Sequence, residues 1–193
     1  MNKQKGKLLV VSGPSGCGKG TVLKKVLKEN SNIYYSVSAT TRAPRYGEEN
    51  GIHYYFITKE EFEKKISEGG MLEYAEYVGN YYGTPKDIVL AKLEKGYDVI
   101  LEIEVKGAMQ IRKAVPEAIL VFIAPPSMDE LEKRLIGRGT EKIDVIKSRL
   151  KKAEKEMQYQ NEYDYLVIND EISIAAEEIA AILKSEKLKI NKN

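Results

Sequence analysis

A glycine-rich segment that contains one lysine is the stretch of this sequence best suited to bind phosphate. Its sequence is Gly13-Pro14-Ser15-Gly16-Cys17-Gly18-Lys19-Gly20-Thr21. Glycines let the backbone bend until successive N–H groups point into one hollow, and a following helix adds the partial positive charge of its N-terminus. The lysine would place a full positive charge against the β- and γ-phosphates of a nucleotide. We therefore predict a phosphate-binding loop over residues 13–21, called the phosphate loop below.

The last position of this loop departs from the strict motif G-x-x-x-x-G-K-[ST]. Gly20 stands where serine or threonine is usual, and Thr21 follows one residue later. The hydroxyl that usually ligates Mg²⁺ is therefore missing or displaced. A glycine-rich turn beside a surface lysine is the alternative. It is disfavoured because an apolar strand, residues 8–11, precedes the loop and a helical pattern, residues 22–27, follows it.

Short apolar runs alternate with helical patterns along most of the chain. The predicted strands outside the region 33–96 are residues 8–11, 99–103, 119–123 and 165–168, and the helices are about 22–30, 106–114, 127–136, 143–157 and 172–187. Such alternation predicts an α/β fold with a parallel sheet covered by helices on both faces. A basic loop near 137–149 interrupts the pattern. Inserted segments of this kind are where a scaffold carries its binding residues.

The region from about 33 to 96 is a β-rich insertion. Strands are predicted at 34–38 and 53–57, and a β pair from Met71 to Tyr82. Thr58 and Glu61 form a capping box for a short helix that reaches Ser67. A further helix is predicted to start at Thr84-Pro85 and to end before Gly96.

Composition excludes several classes of protein. A chain of 193 residues with 42% hydrophobic and 31% charged residues suits one soluble globular domain. A net charge of +2 argues against a dedicated nucleic-acid or anionic-membrane surface. No apolar run approaches the roughly 20 residues of a membrane span, and the N-terminus shows no signal-peptide pattern. One cysteine excludes an internal disulfide and favours the cytoplasm. Whether the protein acts alone or as a homo-oligomer stays open.

Six segments in family order resemble the guanylate kinases, which phosphorylate GMP with ATP. They are SGPSG (12–16), SVSATTRAPR (36–45), GNYYGT (79–84), LEIE (101–104), IAPPS (123–127) and RLIGRGT (134–140). The resemblance implies a P-loop parallel-sheet core flanked by helices, an inserted β-rich GMP-binding lobe and a mobile lid. On this basis the single domain 1–193 divides into a core (1–32, 97–136 and 150–193), a lobe (about 33–96) and a lid (about 137–149). It also implies ATP and GMP as substrates and Mg²⁺ as cofactor.

The resemblance assigns four residues to the phosphate of GMP. Arg42 and Arg45 lie three apart in a polar stretch, and arginine supplies the planar, bidentate donors that a monophosphate needs. Tyr54 and Tyr82 would donate phenolic hydrogen bonds to the same group. For the arginines the alternative is a solvated loop, and for the tyrosines it is packing on a small β lobe.

The resemblance assigns the guanine base to Glu73, Ser38 and Thr84. Guanine offers N1–H and N2–H₂ as donors and O6 as an acceptor, so a carboxylate with a hydroxyl complements it, whereas adenine leaves the carboxylate unpaired. The resemblance also places the carboxylates of Glu102 and Glu104 near the guanine and the metal. Glu104 departs from the family, where aspartate is common. The resemblance leaves Mg²⁺ to phosphates and waters, with Thr21 and Glu102 as the candidate protein ligands.

The remaining assignments concern ATP and the lid. Phosphoryl transfer needs alignment and positive charge around the migrating group, and the resemblance gives this catalytic task to a set of basic residues: Lys19, Arg45, Arg134, Arg138 and Arg149. Gly137 and Gly139 would permit lid closure, which excludes water. The ATP site would comprise the whole phosphate loop and Asn169, with the adenine near Pro125, Pro126 and Arg134.

Two alternative functions stay open at this point. A non-catalytic guanylate-kinase-like module keeps the fold to bind proteins, but such modules typically lose the loop lysine or the lid arginines. A related kinase with another phosphorylated acceptor is the second alternative.

The single cysteine and the single histidine are the remaining residues with reactive side chains. Cys17 begins a helix, where a thiolate is favoured, so we hypothesise that its modification would block ATP binding. A tolerated small residue in the loop is the alternative. His53 has no metal partners in the sequence pattern, and we expect it to be a structural or surface residue.

Overall fold

The computed structural model describes residues 5–137, 139 and 142–190 and contains two β-sheets. In chain order the elements are β1 (Leu8–Ser12), α1 (Lys19–Glu29), β2 (Ile33–Tyr35), β3 (Ala39–Thr40), β4 (Tyr55–Phe56), α2 (Lys59–Ser67), β5 (Met71–Tyr77), β6 (Asn80–Pro85), α3 (Lys86–Glu94), β7 (Asp98–Glu102), α4 (Val105–Ala114), β8 (Ile119–Ala124), α5 (Met128–Gly137), α6 (Ile143–Met157), a 3₁₀ turn (Gln160–Glu162), β9 (Tyr165–Ile168) and α7 (Ile172–Leu188). No helix within the described ranges is both long and apolar enough to span a membrane.

The larger sheet has five strands in the order β2-β7-β1-β8-β9, and every pairing in it is parallel. The predicted parallel core is thereby confirmed. Strand β1 is a continuous apolar run because both of its faces are covered. Leu9 and Val11 pack with α1, α5, α6 and α7, whereas Leu8 and Val10 pack with α3 and α4.

The smaller sheet forms the inserted lobe and has the strand order β4-β3-β6-β5. Its β5–β6 hairpin and the helix α2 agree with the predicted elements. Thr58 caps α2 through a reciprocal capping box with Glu61. Helix α4 lies against β5, so the lobe rests on a helix of the core.

Some predicted bounds differ from the structure. The strand predicted at 34–38 ends at Tyr35 and pairs with β7, so it belongs to the larger sheet rather than to the insertion. Of the segment predicted at 53–57, only Tyr55 and Phe56 form a strand and Tyr54 makes an isolated bridge with Asn50, because residues 51–53 form a turn. Pro85 ends β6 and caps α3 instead of occupying its first turn. Helix α3 packs Val89 and Leu93 onto the core and not onto the lobe.

The predicted lid, about 137–149, takes in the end of one helix and the first half of the next. Helix α5 ends at Gly137 and α6 begins at Ile143. Gly139 has a φ of +63°, and a Cβ there would meet no described residue within 4 Å. Arg138, which the resemblance assigns to catalysis, lies outside the described residues.

Candidate active site

Three glycines of the phosphate loop occupy positions where the backbone conformation and close neighbouring atoms exclude a side chain. Gly13, Gly16 and Gly18 have φ values of +148°, +96° and +93°. A Cβ on Gly13 would lie 2.0 Å from the main-chain oxygen of Ile123 in β8. One on Gly18 would lie 2.4 Å from Nδ2 of Asn169. The loop therefore presses against β8 and the end of β9, with the N-terminus of α1 directly behind it.

Lys19 is the first residue of α1 and lies folded over the loop. Its Nζ donates to the carbonyl oxygens of Gly13 at 2.7 Å and Pro14 at 3.0 Å. These bonds hold the ammonium group at the mouth of the loop. The Lys19 charge, the helix N-terminus and the loop N–H groups together make a site for an anion.

Gly20 faces the end of β7. A Cβ at this position would lie 3.7 Å from Oε2 of Glu102. Carboxylate oxygen is a hard ligand that suits Mg²⁺, which protein sites commonly hold through one or two carboxylates and substrate phosphates. Glu102 would therefore suit a Mg²⁺ ion bound beside the loop. Thr21 is exposed and lines a different cavity. Within the described ranges no cluster of three or more His, Cys, Asp or Glu side chains could hold a metal alone.

Cys17 is a fully buried residue of the loop, and the expectation of a favoured thiolate is wrong. Its Sγ donates to the carbonyl oxygen of Ile123 at 3.4 Å. Burial raises the pKa of the thiol, and this outweighs the opposing effect of Lys19. The Cys17 carbonyl accepts from Nδ2 of Asn169 at 2.7 Å, so the residue is part of the loop's framework.

One cavity, of about 460 Å³, opens on the outer side of the loop. The residues that line it are Gly16, Gly18, Thr21, Arg134, Gly137, Asn169, Asp170 and Ile172. Arg134 is fixed there by two contacts: Nη1 donates to the carbonyl oxygen of Asn169 at 2.8 Å, and Nε donates to Glu130 at 3.2 Å. Pro125 is buried and Pro126 is exposed, and neither lines this cavity.

A second cavity, of about 340 Å³, joins the loop to the lobe and to the end of β7. It is lined by Gly13, Ser15, Lys19, Tyr35, Tyr54, Glu102, Ile103, Glu104 and Glu156. Parallel sheets gather ligands at the carboxyl ends of their strands, and this cavity lies at such an end. It therefore brings together predicted residues from the loop, the lobe and β7.

Arg42, Tyr54 and Tyr82 form a cluster in the lobe. The Arg42 guanidinium lies 5.4 Å from the centroid of the Tyr54 ring, and the rings of Tyr54 and Tyr82 meet edge to face at 6.0 Å. Glu48 binds Arg42 in a bidentate ion pair, with distances of 2.9 and 3.0 Å. The bidentate bonds hold the pKa of Glu48 down at about 2 and raise that of Arg42. Arg45 is exposed, and its backbone N–H donates to Glu48 at 2.7 Å.

Glu73 and Thr84 form a buried pair between β5 and β6. They stand opposite each other in the strand register, and Thr84 Oγ1 donates to Glu73 Oε1 at 2.7 Å. The Glu73 side chain is only 6% exposed, and burial raises its pKa. Ser38 lies at the entry to β3, where its carbonyl accepts from the N–H of Tyr55 at 2.8 Å.

Glu104 and Arg149 connect helix α6 to this region. Glu104 caps α4 and pairs with Lys152 at 2.9 Å, and Lys152 also lies 3.6 Å from Glu156. Arg149 donates to Ser15 Oγ of the phosphate loop at 2.6 Å. Helix α6, whose first half lies within the predicted lid, therefore contacts both the loop and the carboxyl end of β7.

The sequence analysis missed several site residues, and three of them form hydrogen bonds in the site: Glu48, Tyr35 and Lys152. Glu48 had a signal, since an acid six residues after Arg42 in a polar loop suggests an ion pair. Tyr35, whose hydroxyl donates to Glu102 Oε2 at 3.1 Å, had none because its partner is 67 residues away. Lys152 had none beyond its place in a charged helix.

Comparisons with known proteins converge on one family. A family model described as guanylate kinase matches residues 5–186. A guanylate kinase of Streptococcus pneumoniae is 53% identical over 183 residues, covering 94% of this chain and 88% of the relative. One of Desulfitobacterium hafniense is 48% identical over 192 residues, covering 100% of this chain and 96% of the relative.

Solved structures agree with this result. The crystal structure of guanylate kinase from Anaplasma phagocytophilum matches with a TM-score of 0.77 and 37% identity, covering 97% of this chain and 89% of that chain. A shikimate kinase from Bacteroides thetaiotaomicron, 15% identical, matches with a TM-score of 0.50 over 92% of this chain and 98% of its own, and it shares the fold alone.

Proposed function

Because this chain belongs to the guanylate kinase family, we propose that its phosphate loop and its inserted lobe divide one reaction between them. The reaction is the transfer of the γ-phosphoryl group of ATP to GMP, which gives ADP and GDP. The loop binds the donor and the lobe binds the acceptor. The cavity lined by both loop and lobe is where the two phosphates meet.

On the donor side the loop N–H groups and Lys19 bind the β- and γ-phosphates. Arg134 and Asn169 line the cavity on the outer side of the loop, which takes the nucleoside of ATP. Glu102 would be the carboxylate that helps to hold Mg²⁺ beside the loop, and the ion would there neutralise charge on the phosphates. Tyr35 keeps Glu102 directed into the shared cavity through its hydrogen bond.

On the acceptor side the Arg42, Tyr54 and Tyr82 cluster binds the phosphate of GMP. The bidentate pairing of Arg42 with the Glu48 carboxylate supports this role, because a phosphate offers the guanidinium the same pair of oxygens. Arg45, exposed beside the same acid, completes the phosphate site by turning toward the acceptor. No general base is required because the attacking phosphate oxygen is already anionic.

The buried Glu73–Thr84 pair is the observation that carries the choice of base. Guanine N1–H and N2–H₂ would donate to Glu73, whereas O6 would accept from Thr84 or Ser38. An adenine presents an acceptor at N1 and gives the buried carboxylate no donor besides Thr84, at a cost of about 1–3 kcal/mol. A carboxylate that is already removed from water therefore selects guanine.

Closure of the lid over 137–149 brings the remaining positive charge to the γ-phosphate. Arg138 would arrive with the closing segment, and Arg149 already reaches the loop through Ser15. Arginines that surround the migrating group only in the closed state stabilise its charge while water is excluded. A cytoplasmic location stays a prediction from the single cysteine.

An ADP-release assay with Mg·ATP tests the assignment, with GMP, dGMP, AMP, UMP and CMP offered separately. We expect turnover with GMP and little with AMP. Glu73→Gln should raise the KM for GMP by about tenfold or more and leave the KM for ATP unchanged. Glu76→Gln is the matched control because Glu76 is exposed on the same strand. Equal KM values for GMP in the Glu73 and Glu76 variants would overturn the role of Glu73.

A further inference from the structure

Helix α4 contains a glycine, Gly107, that its backbone does not require. Glycine inside a helix costs up to about 1 kcal/mol relative to alanine. Gly107 is the third residue of α4, is buried, and does not have a positive φ. A Cβ here would lie 2.7 Å from Oε2 and 3.2 Å from Cδ of Glu73. Glycine is therefore needed here for space, because the Glu73 carboxylate occupies the volume that a Cβ would fill.

One turn further along the same face of α4, Gln110 holds the strand that carries Glu73. Its Oε1 accepts from the backbone N–H of Tyr74 at 3.1 Å, and its Nε2 donates to the carbonyl oxygen of Tyr74 at 2.9 Å. Strand β5 is at the edge of the smaller sheet, so no strand in the described part of the chain pairs with these groups on that side. The Gln110 carboxamide makes the two backbone hydrogen bonds that a neighbouring strand would make with Tyr74, the residue directly after Glu73.

The two hydrogen bonds between Gln110 and the backbone of Tyr74, called the backbone clamp below, lie next to an irregularity in β5. Leu72 and Glu73 are both buried although they are consecutive, whereas a regular strand turns successive side chains to opposite faces. The register with β6 shifts between Met71 and Glu73. A bulge of this kind redirects a side chain, and here it turns the carboxylate toward α4. The Gln110–Tyr74 hydrogen bonds lie directly after this irregularity.

Gly107 and Gln110 belong to a helix fixed in the core. Ala108 and Ile111, which lie between and beside them, are fully buried against the core with Val10 and Leu101. We propose that Gly107 and Gln110 are positioning residues that set the depth and direction of the Glu73 carboxylate, and thereby the selection of guanine. This inference rests on the proposed function of Glu73 as the residue that binds the base.

Gly107→Ala is the first test because helix propensity and the proposed role predict opposite effects. The clashing atoms are the far end of a flexible side chain, so the protein folds and Glu73 moves. We expect an unchanged or higher Tm, a KM for GMP raised about tenfold, and a KM for ATP and a kcat at saturating GMP within about twofold of the parent. Lys106→Ala, an exposed neighbour on α4, should change neither KM. A Gly107→Ala protein with the parent's KM for GMP would overturn the proposal.

A double-mutant cycle shows whether the effect passes through Glu73. If the added methyl group acts only by displacing this carboxylate, adding Gly107→Ala to Glu73→Ala leaves the raised KM for GMP unchanged within about twofold. Multiplicative losses in the double variant would refute positioning while the base-binding role of Glu73 stands. An unaltered KM for GMP in Glu73→Ala alone would instead refute the proposed function of Glu73.

Gln110→Met tests the clamp without changing the size of the side chain much. Methionine makes neither hydrogen bond to Tyr74, so we expect the preference for GMP over AMP, measured as the ratio of kcat/KM values, to fall about fivefold or more. Lys113→Met is the matched control, exposed on the last turn of α4. A preserved GMP preference in Gln110→Met would show that the backbone clamp does not position Glu73.

Discussion

Two glycines of the phosphate loop should respond in opposite ways to the same substitution by alanine. Gly13 has a φ of +148°, and a Cβ on it would lie 2.0 Å from the backbone oxygen of Ile123. Gly20 lies in the first turn of α1 without a positive φ, and the nearest atom to its Cβ would be Glu102 Oε2 at 3.7 Å. Only the first of these contacts is shorter than two atoms can tolerate.

The expected magnitudes follow from these contacts. For Gly13→Ala the backbone conformation alone costs about 1–3 kcal/mol. The Cβ and the Ile123 oxygen must also separate by about 1.4 Å to reach an ordinary contact, and both belong to backbone packed in the core sheet. We expect a total loss of at least about 3 kcal/mol, which lowers the Tm by about 6 °C or more. Gly20→Ala should gain up to about 1 kcal/mol, because alanine is the better helix former.

Thermal unfolding followed by circular dichroism compares the Tm values of both variants with that of the parent. Calorimetric titration with ATP measures the affinity of the phosphate loop for its ligand. Gly13→Ala should bind ATP more weakly because the Gly13 carbonyl is one of the two acceptors that hold Lys19. Gly20→Ala should keep the parent's affinity. A Gly13→Ala protein as stable as the parent, or a Gly20→Ala protein destabilised to the same degree, would refute the reasoning from contact distances.

Three further predictions concern the hairpin tip, the lobe and the thiol. Val78→Asn should raise the Tm by about 2–4 °C. Val78 is exposed and has a φ of +49°, which a β-branched residue adopts at a cost of about 1–2 kcal/mol. An unchanged or lower Tm would contradict this prediction. The ion pair of Glu48 with Arg42 lowers the pKa of Glu48 from 4.5 to about 2, so its contribution to stability is complete above pH 4.5 and is lost as the pH falls toward 2. Urea unfolding across that range should therefore show a shallower pH dependence for Glu48→Gln than for the parent, and parallel curves would reject the ion pair. The native protein should react with iodoacetamide at pH 8 far more slowly than the urea-unfolded protein, since burial excludes the reagent and raises the pKa of Cys17; equal rates would show the thiol to be accessible.

Local sequence was sufficient for the features that depend on neighbouring residues. The phosphate loop was predictable because Gly13, Gly18 and Lys19 act through backbone shape and charge within nine residues. The capping box of Thr58 with Glu61 is equally local. The parallel core followed from the alternation of apolar runs with helical patterns, which the chain repeats over most of its length.

Positions that depend on distant partners were not predictable. Strand β2 belongs to the larger sheet because it pairs with β7, more than sixty residues later. The short strand pattern at 34–38 could not distinguish that sheet from the lobe. Cys17 suggested a thiolate by its place before a helix, but the packing of β8 over the loop buries it and reverses the effect.

The sequence by itself determined which chemical groups this protein has and the local shapes that present them: a loop for phosphate, arginines for an oxyanion and a carboxylate for a base. The tertiary structure alone decided which of these groups are removed from water and what holds them. Glu73 is one acid among 29 in the sequence. It becomes distinct only where a strand bulge turns it inward, Thr84 donates to it and Gly107 leaves it space. The physical reason is that burial and hydrogen-bond geometry arise between segments far apart in the chain. A local pattern of residues does not show which distant segments will pack against it.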